Sequence, residues 1–390
     1  MSDSPSLDAF ADSKLAEMDR AHLRRRLVIT DPLGATEVER EGKRLLNFSS
    51  NDYLGLNRHP VLERAAMDAI EQFGVGSGAS RLVTGNHPLF RELETRLATL
   101  KGTEDAVVFG SGFLTNSGVI PALMGASDAI FLDELSHACI YYGSRLSDAA
   151  THVFRHNDLE HLKELLEAHR GACTHAMIVT DGVFSMDGDL APVGALVDLA
   201  QQFDAWLMTD DAHGIGVVGG GHGSSFENGK RHGVALQMGT LSKAIGGYGG
   251  YLCASQTVID LIRTRCRTFI YSTGLPPASV AAAIAALDLI ENDPEFAARP
   301  VTLAKRFTRA LNLPNAESPI VPVILGDTDA TLTAGKLLED EGFLVVPIRP
   351  PTVPDGTARL RITFSANHEE RDVDRLAELI RERVLNGDQS

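Results

Sequence analysis

Between residues 105 and 210 short, almost wholly apolar runs alternate with stretches of helical spacing. Ala106-Val107-Val108-Phe109 and Ala129-Ile130-Phe131-Leu132-Asp133 read as strands, as do residues 151–155, 176–181 and 205–210. Phe113 to Met124 and His137 to Leu146 read as two of the helices between them. A strand with no polar alternation is covered on both faces. Strands separated by helices pair in parallel through right-handed crossovers. The expected fold class is therefore α/β, with a mostly parallel sheet and helices on both faces.

Elsewhere the pattern differs. Residues 8 to 26 have helical spacing and end in Arg24-Arg25-Arg26, and Leu46-Asn47-Phe48 reads as a short strand turning at Asn51-Asp52-Tyr53-Leu54-Gly55. Two amphipathic helices follow near 60–73 and 88–100. The charged stretch Glu291-Asn292-Asp293-Pro294-Glu295 marks a boundary. Beyond it come a helix, a strand from Ile320 to Leu325, a helix, strands at Phe343 to Pro347 and Ala358 to Phe364, and a last helix. The expected division is an N-terminal helix and arm (1–55), a large α/β domain (56–292) and a smaller C-terminal α+β domain (293–390).

Charge and composition limit the partners. A formal net charge of −16 over 390 residues argues against nucleic acid, although a helix N-terminus or an arginine still binds anions at short range. Cys139, Cys173, Cys253 and Cys266 have no CxxC spacing and read as reduced thiols. Residues 1–30 lack an apolar leader core, and no run approaches the roughly 18 apolar residues of a membrane span. A cytoplasmic enzyme without a membrane partner is expected.

The chemistry gathers where strands end, which is where open parallel sheets bind ligands. Asp210 closes an apolar strand and is followed by Asp211-Ala212-His213-Gly214. Lys243 lies in Gly239-Thr240-Leu241-Ser242-Lys243-Ala244-Ile245-Gly246-Gly247. A lysine amid small and hydroxyl residues can be desolvated, which frees its amine for imine chemistry. A buried aspartate suits the ring nitrogen of a pyridinium. Together they ask for pyridoxal 5′-phosphate. Thr240 and Ser242 offer hydroxyls to its phosphate. Ser111-Gly112-Phe113, between a strand and a helix, can approach the same phosphate, although by itself it is an ordinary βα turn. His137 could stack on a flat ring or simply begin a helix and make a local hydrogen bond, and if protonated could polarise a keto group. Ser185, in an Asp/Gly-rich loop, could bond a ring oxygen. Asp210 and His213 alone do not complete a metal site, so no metal is expected. Arg359 and Arg361 share one face of a strand, where a guanidinium fork can clamp a carboxylate.

The ordered set Asn51-Asp52-Tyr53-Leu54-Gly55, Ser111-Gly112-Phe113, His137, Gly182-Val183-Phe184-Ser185-Met186-Asp187-Gly188, Asp210-Asp211-Ala212-His213-Gly214 and Lys243 resembles the α-oxoamine synthases. These are fold-type I pyridoxal-phosphate enzymes, similar in architecture to aspartate aminotransferase, with a seven-stranded sheet. The likeness runs from about residue 20 to 385. The tail from Arg349 to Arg361 looks most like the biotin-pathway branch, which implies condensation of L-alanine with a pimeloyl thioester of CoA or acyl-carrier protein. By that resemblance Lys243 carries the cofactor, Asp210 pairs with its ring nitrogen, and His213 and Ser185 serve its ring oxygen. His137 stacks on the ring, while Ser111, Gly112, Phe113 and Thr240 hold the cofactor and its phosphate. Ser272 and Thr273 reach the phosphate of a second subunit, which implies a homodimer. Arg361 takes the amino-acid carboxylate, and Arg24, Asn51, Arg349 and Thr352 fall at substrate positions. Asp181 stands where some relatives have glutamate. The Ser-Lys-Ala form around Lys243 is shared with branches that use glycine. Glycine with acetyl-CoA or succinyl-CoA, serine with a fatty acyl-CoA, and more distantly transamination stay open.

Overall fold

In the computed structural model, which describes residues 6–20 and 23–386, the centre is a seven-stranded sheet. Its spatial order is Asp105–Phe109, Gly250–Ala254, Leu236–Thr240, Trp206–Asp210, Ala176–Asp181, Ala129–Asp133 and Ala150–Phe154. Six strands run parallel, and Gly250–Ala254 is antiparallel to both neighbours. Every residue of Asp105–Phe109, Ala129–Asp133 and Ala176–Asp181 is buried, as the unbroken apolar runs require.

Alternate residues face two separate cores. Val107, Ile130, Leu132, Met177, Val179 and Met208 point to one layer, with helix Gly112–Leu123. Ala106 and Val108 point to the other face, against helices Pro88–Lys101 and Pro277–Asn292. On that same face Phe131 and Ile178 pack with Leu162 and Leu196. The helices cover both sides, so the C-terminal strand ends are the sheet's open rim.

A three-stranded antiparallel sheet, Ile320–Gly326, Ala358–Thr363 and Pro347–Ile348, packs with helices Pro294–Ala310, Thr328–Asp340 and Glu370–Leu379. Phe48, Phe307, Phe343 and Phe364 share its core. Phe343–Leu344 leaves this sheet and pairs in parallel with Lys43–Asn47, so the expected single strand from Phe343 to Pro347 is split between two sheets.

Three further expectations are corrected. Strands Leu236–Thr240 and Gly250–Ala254 are not apparent as strands in the sequence, because Gln237, Gly239 and the glycines before Tyr251 mimic turn signals. Helix Leu7–Arg20 stops short of Arg24-Arg25-Arg26, and residues 21–22 of the expected helix lie outside the described residues. His137 caps the helix Ala138–Arg145 and does not belong to it. No helix among the described residues is long and apolar enough to cross a membrane.

Candidate active site

The turns after the parallel strands enclose a cavity of about 150 Å³. Ser111, Gly112 and Phe113 line it from the start of one helix, and His137 and Cys139 from another. Asp181 and Asp210 come from adjacent strand ends in direct register, and His213, Thr240, Ser242 and Lys243 complete the wall. Nine of the residues given a cofactor or catalytic role from the sequence thus meet in one place: Ser111, Gly112, Phe113, His137, Asp210, His213, Thr240, Ser242 and Lys243.

Asp210 is oriented by two donors. Asn116 Nδ2 donates to Oδ2 at 2.7 Å and the Ala212 amide to Oδ1 at 2.8 Å. Its sequence neighbour Asp211 is committed elsewhere: Oδ2 lies 2.6 Å from Lys101 Nζ in a fully buried ion pair, and Oδ1 accepts from the Ser224 amide. Asn116 was not singled out in the sequence. Its only signal is a polar side chain within the apolar helix Gly112–Leu123, which many buried asparagines share.

Lys243 is half-buried, and no hydrogen bond or ion pair among the described residues occupies its amine. Burial lowers its pKa, opposed by the charges of Asp210 and Asp181. Burial raises Asp181 well above the usual carboxylate range, and Asp210 beside it adds to the rise. His137 is open to solvent, yet the protein packed around its ring lowers its pKa, with Asp210 opposing and Lys243 reinforcing. This lowering favours the neutral imidazole, while the keto-polarising role needs the protonated one. Its Nδ1 lies 2.8 Å from Cys139 Sγ, and its amide donates to Asp181 Oδ1 at 3.2 Å. Cys139 is pushed up to about 12 by burial and the nearby Asp210 charge, so it stays a thiol.

His213 Nδ1 lies 2.6 Å from the Tyr53 hydroxyl. Burial, then the charges of Lys243 and Arg361, hold His213 well below its ordinary pKa. Burial pushes Tyr53 up to about 12, so the phenol keeps its proton. Arg361 Nη2 donates to Asn51 Oδ1 at 3.1 Å and approaches the Tyr53 hydroxyl at 3.5 Å, while Nε donates to the Ser185 carbonyl at 2.5 Å. Asn51, Tyr53, His213 and Arg361 thereby form one chain leading from the cavity. Arg359, two residues earlier, is spent on Asp187 and on the Met186 carbonyl. Tyr53 is part of the N-terminal motif, but its role is visible only in the fold.

Other expected residues stand apart. Ser185 is not on the cavity wall and acts through its carbonyl. Ser272 and Thr273 line a separate depression with Arg81 and Phe269. Arg24 pairs with Asp19 at 2.6 Å on the surface. Arg349 and Thr352 sit in the loop before the 358–363 strand, off the cavity wall.

These donors suit a flat, phosphorylated, cationic ring. Ser111 caps the helix with its side chain on the Leu114 amide, leaving the Gly112 and Phe113 amides for an anion. Gly112 is closely packed: a Cβ there would lie 3.2 Å from Met238 Cε and 3.4 Å from Thr240 Cβ. Thr240 Oγ1 lies 2.9 Å from Ser242 Oγ beside this helix start. An oriented carboxylate and an uncommitted amine occupy the other end.

Residues 43–380 match the family described as aminotransferase class I and II. The chain belongs to that family. Among curated members, the 8-amino-7-oxononanoate synthase of Maricaulis maris is 59% identical over 374 residues, covering 96% of this chain and 95% of its own. That of Methylobacterium nodulans is 58% identical over 378 residues, covering 97% of each. Among solved members, serine palmitoyltransferase from S. paucimobilis with a bound PLP–myriocin aldimine superposes with a TM-score of 0.89 at 27% identity, covering 97% of this chain and 98% of that one. The 8-amino-7-oxononanoate synthase of Francisella tularensis gives 0.75 at 25% identity, covering 88% and 98%. This class I and II chain thus has the fold-type I architecture that its motifs resemble.

Proposed function

We propose that this chain is a pyridoxal-phosphate-dependent α-oxoamine synthase. It condenses L-alanine with a pimeloyl thioester of CoA or acyl-carrier protein and releases CO₂, the free thiol carrier and 8-amino-7-oxononanoate, in biotin synthesis. The observation that carries this reading is the cavity itself, where a desolvated lysine amine shares one wall with an aspartate oriented by Asn116 and Ala212. Near 58% identity to synthases of that name along nearly their whole length supports the substrate pair.

When bound, the cofactor supplies an electron-poor ring that accepts the electron pair left at the amino acid's α-carbon. The chain's residues do the rest. Asp210 would pair with the ring nitrogen, and its two N–H donors keep the carboxylate oriented. The helix start at Ser111-Gly112-Phe113, with Thr240 and Ser242, holds the phosphate. His137 would cover the ring, and neutral His213, held by Tyr53, would serve its oxygen. Lys243, whose pKa burial lowers, offers the amine that takes and returns the α-proton. Arg361 has Nε and Nη2 engaged, and no hydrogen bond among the described residues occupies Nη1, so it can clamp the substrate carboxylate. Ser272 and Thr273, away from their own chain's cavity, serve the phosphate of a second subunit in a cytoplasmic homodimer. Arg24, Arg349 and Thr352 contact substrate from the rim, and the Arg24-Arg25-Arg26 segment offers a basic patch to an acidic carrier protein.

A second reading, serine with a long-chain acyl thioester, is favoured by backbone likeness: serine palmitoyltransferase superposes at 0.89 against 0.75 for the solved synthase. Sequence identity favours the first. A matrix of L-alanine, glycine and L-serine against pimeloyl, succinyl, acetyl and palmitoyl thioesters, with CO₂ and thiol release both followed, separates them. Alanine with the pimeloyl thioester is expected to lead. Turnover of glycine with succinyl-CoA, and none with alanine, overturns the substrate reading. Amino-group exchange without thiol release overturns condensation.

A further inference from the structure

Away from the cavity, His156 lies between two carboxylates. Its Nδ1 is 3.1 Å from Asp133 Oδ1, at the end of one sheet strand, and its Nε2 is 2.7 Å from Asp189 Oδ2, in the 182–191 loop. Asn157 binds the same two residues: its amide donates to Asp133 Oδ2 at 2.8 Å and its side chain to Asp189 Oδ2 at 3.1 Å. The His156 ring also stands edge-on to Phe184, with centroids 4.3 Å apart. Three of these contacts hold the loop, His156 to Asp189, Asn157 to Asp189 and His156 to Phe184, and the two contacts to Asp133 tie His156 and Asn157 to the rim of the large sheet.

The far side of the same loop grips the smaller sheet. Gly188 has φ +76°, and a Cβ there would run into the Ile320 carbonyl, so the loop lies directly on strand Ile320–Gly326. Met186 and Asp187 hold Arg359, and the Ser185 carbonyl holds Arg361 Nε. The loop closes on itself through Phe184 N to the Asp189 carbonyl and Gly188 N to the Phe184 carbonyl, which ties its two ends together. A shift at Asp189 is thus passed to Ser185 and on to the guanidinium of Arg361.

We infer that His156, bridging Asp133 and Asp189, is a positioning residue for the amino-acid substrate, because it anchors the loop whose backbone aims Arg361. This rests on Arg361 being the carboxylate clamp, as in the function proposed above. His156 touches neither the cavity nor the reacting atoms. Its removal leaves two carboxylates facing each other without their shared cation and frees the loop to drift. Misplacement of a clamp by an ångström lowers binding and turnover by up to about a hundredfold.

The test uses purified holoenzyme carrying His156→Gln, Asp189→Ala or Asp189→Asn, with Arg361→Gln alongside. L-Alanine affinity is read by spectral titration and pimeloyl-CoA by its KM. Amide exchange across 182–191 is followed by mass spectrometry on the cofactor-free protein. His156→Gln and Asp189→Ala are expected to weaken alanine about tenfold, change the thioester KM by less than about twofold, and speed exchange in 182–191 while strand 236–240 stays protected. Asp189→Asn, which keeps the shape and a hydrogen bond, is expected to recover most of the alanine affinity. Unchanged alanine affinity in His156→Gln and Asp189→Ala, beside a weakened Arg361→Gln, overturns this inference alone. So does equal weakening of both substrates with faster exchange throughout the chain, which marks a merely structural role. Wild-type alanine affinity in Arg361→Gln overturns the clamp reading and this inference with it.

Discussion

The amine of Lys243 is asked to bind the cofactor and to move a proton, and both need it uncharged part of the time. Burial supplies that condition against the pull of Asp210 and Asp181. Lys243→Ala is therefore expected to lower kcat by at least about a thousandfold and to abolish the lysine-linked cofactor absorbance. Turnover assays and a visible spectrum check both. Asn116→Ala removes the 2.7 Å donor to Asp210 Oδ2. Losing one charge-assisted hydrogen bond costs about 1.5–3 kcal/mol, which corresponds to a roughly tenfold to hundredfold fall in kcat if it acts only through Asp210. Steady-state kinetics with saturating cofactor provide the measurement. Lys243 and Asp210 were legible in the sequence because chain order and neighbouring small residues single them out. Asn116 and Tyr53 were not, because what marks them is a distance across the fold: 94 residues separate Asn116 from Asp210, and 160 separate Tyr53 from His213.

Secondary elements were legible where composition was uniform and obscured where function imposed glycine. The apolar runs from 105 to 210 announced parallel strands. Gly250–Ala254 did not, since its first residue must be glycine for a packing reason. A Cβ at Gly250 would come within 2.6 Å of the Ser111 backbone and strike the Thr115 hydroxyl. Gly250→Ala is expected to push the helix start outward, costing about 1–3 kcal/mol and weakening cofactor binding. Urea unfolding and a cofactor titration test the two halves. Burial alone would lower His156, but Asp133 and Asp189 hydrogen-bond it and raise it to about 10. The unfolded ring titrates near 6.5, so its contribution is fully present below that pH and is lost as pH rises through about 10. Glu134, whose carboxylate accepts a hydrogen bond from the His156 amide, and the Arg155–Asp158 pair are further charged groups nearby. Wild type is expected to lose alanine affinity and 182–191 protection between about pH 9 and 11, and His156→Gln to show no such step.

At the level of the whole molecule, the two sheets are joined through the pair Arg359 and Asp187, with the guanidinium almost wholly buried. Asp187→Ala leaves that charge without its carboxylate and is expected to cost about 3 kcal/mol in urea unfolding. The distribution of site residues makes a second demand. Ser272 and Thr273 lie outside the cavity of their own chain. If they complete the site of a neighbour, hybrid dimers of Lys243→Ala with a Ser272→Ala/Thr273→Ala double variant contain one intact site. Such hybrids are expected to regain activity that neither parent has. The most direct measurement is borohydride reduction of the holoenzyme followed by peptide mapping. The account predicts a phosphopyridoxyl group on the peptide bearing Lys243; a label on Lys101 or another lysine, or none at all, would contradict it.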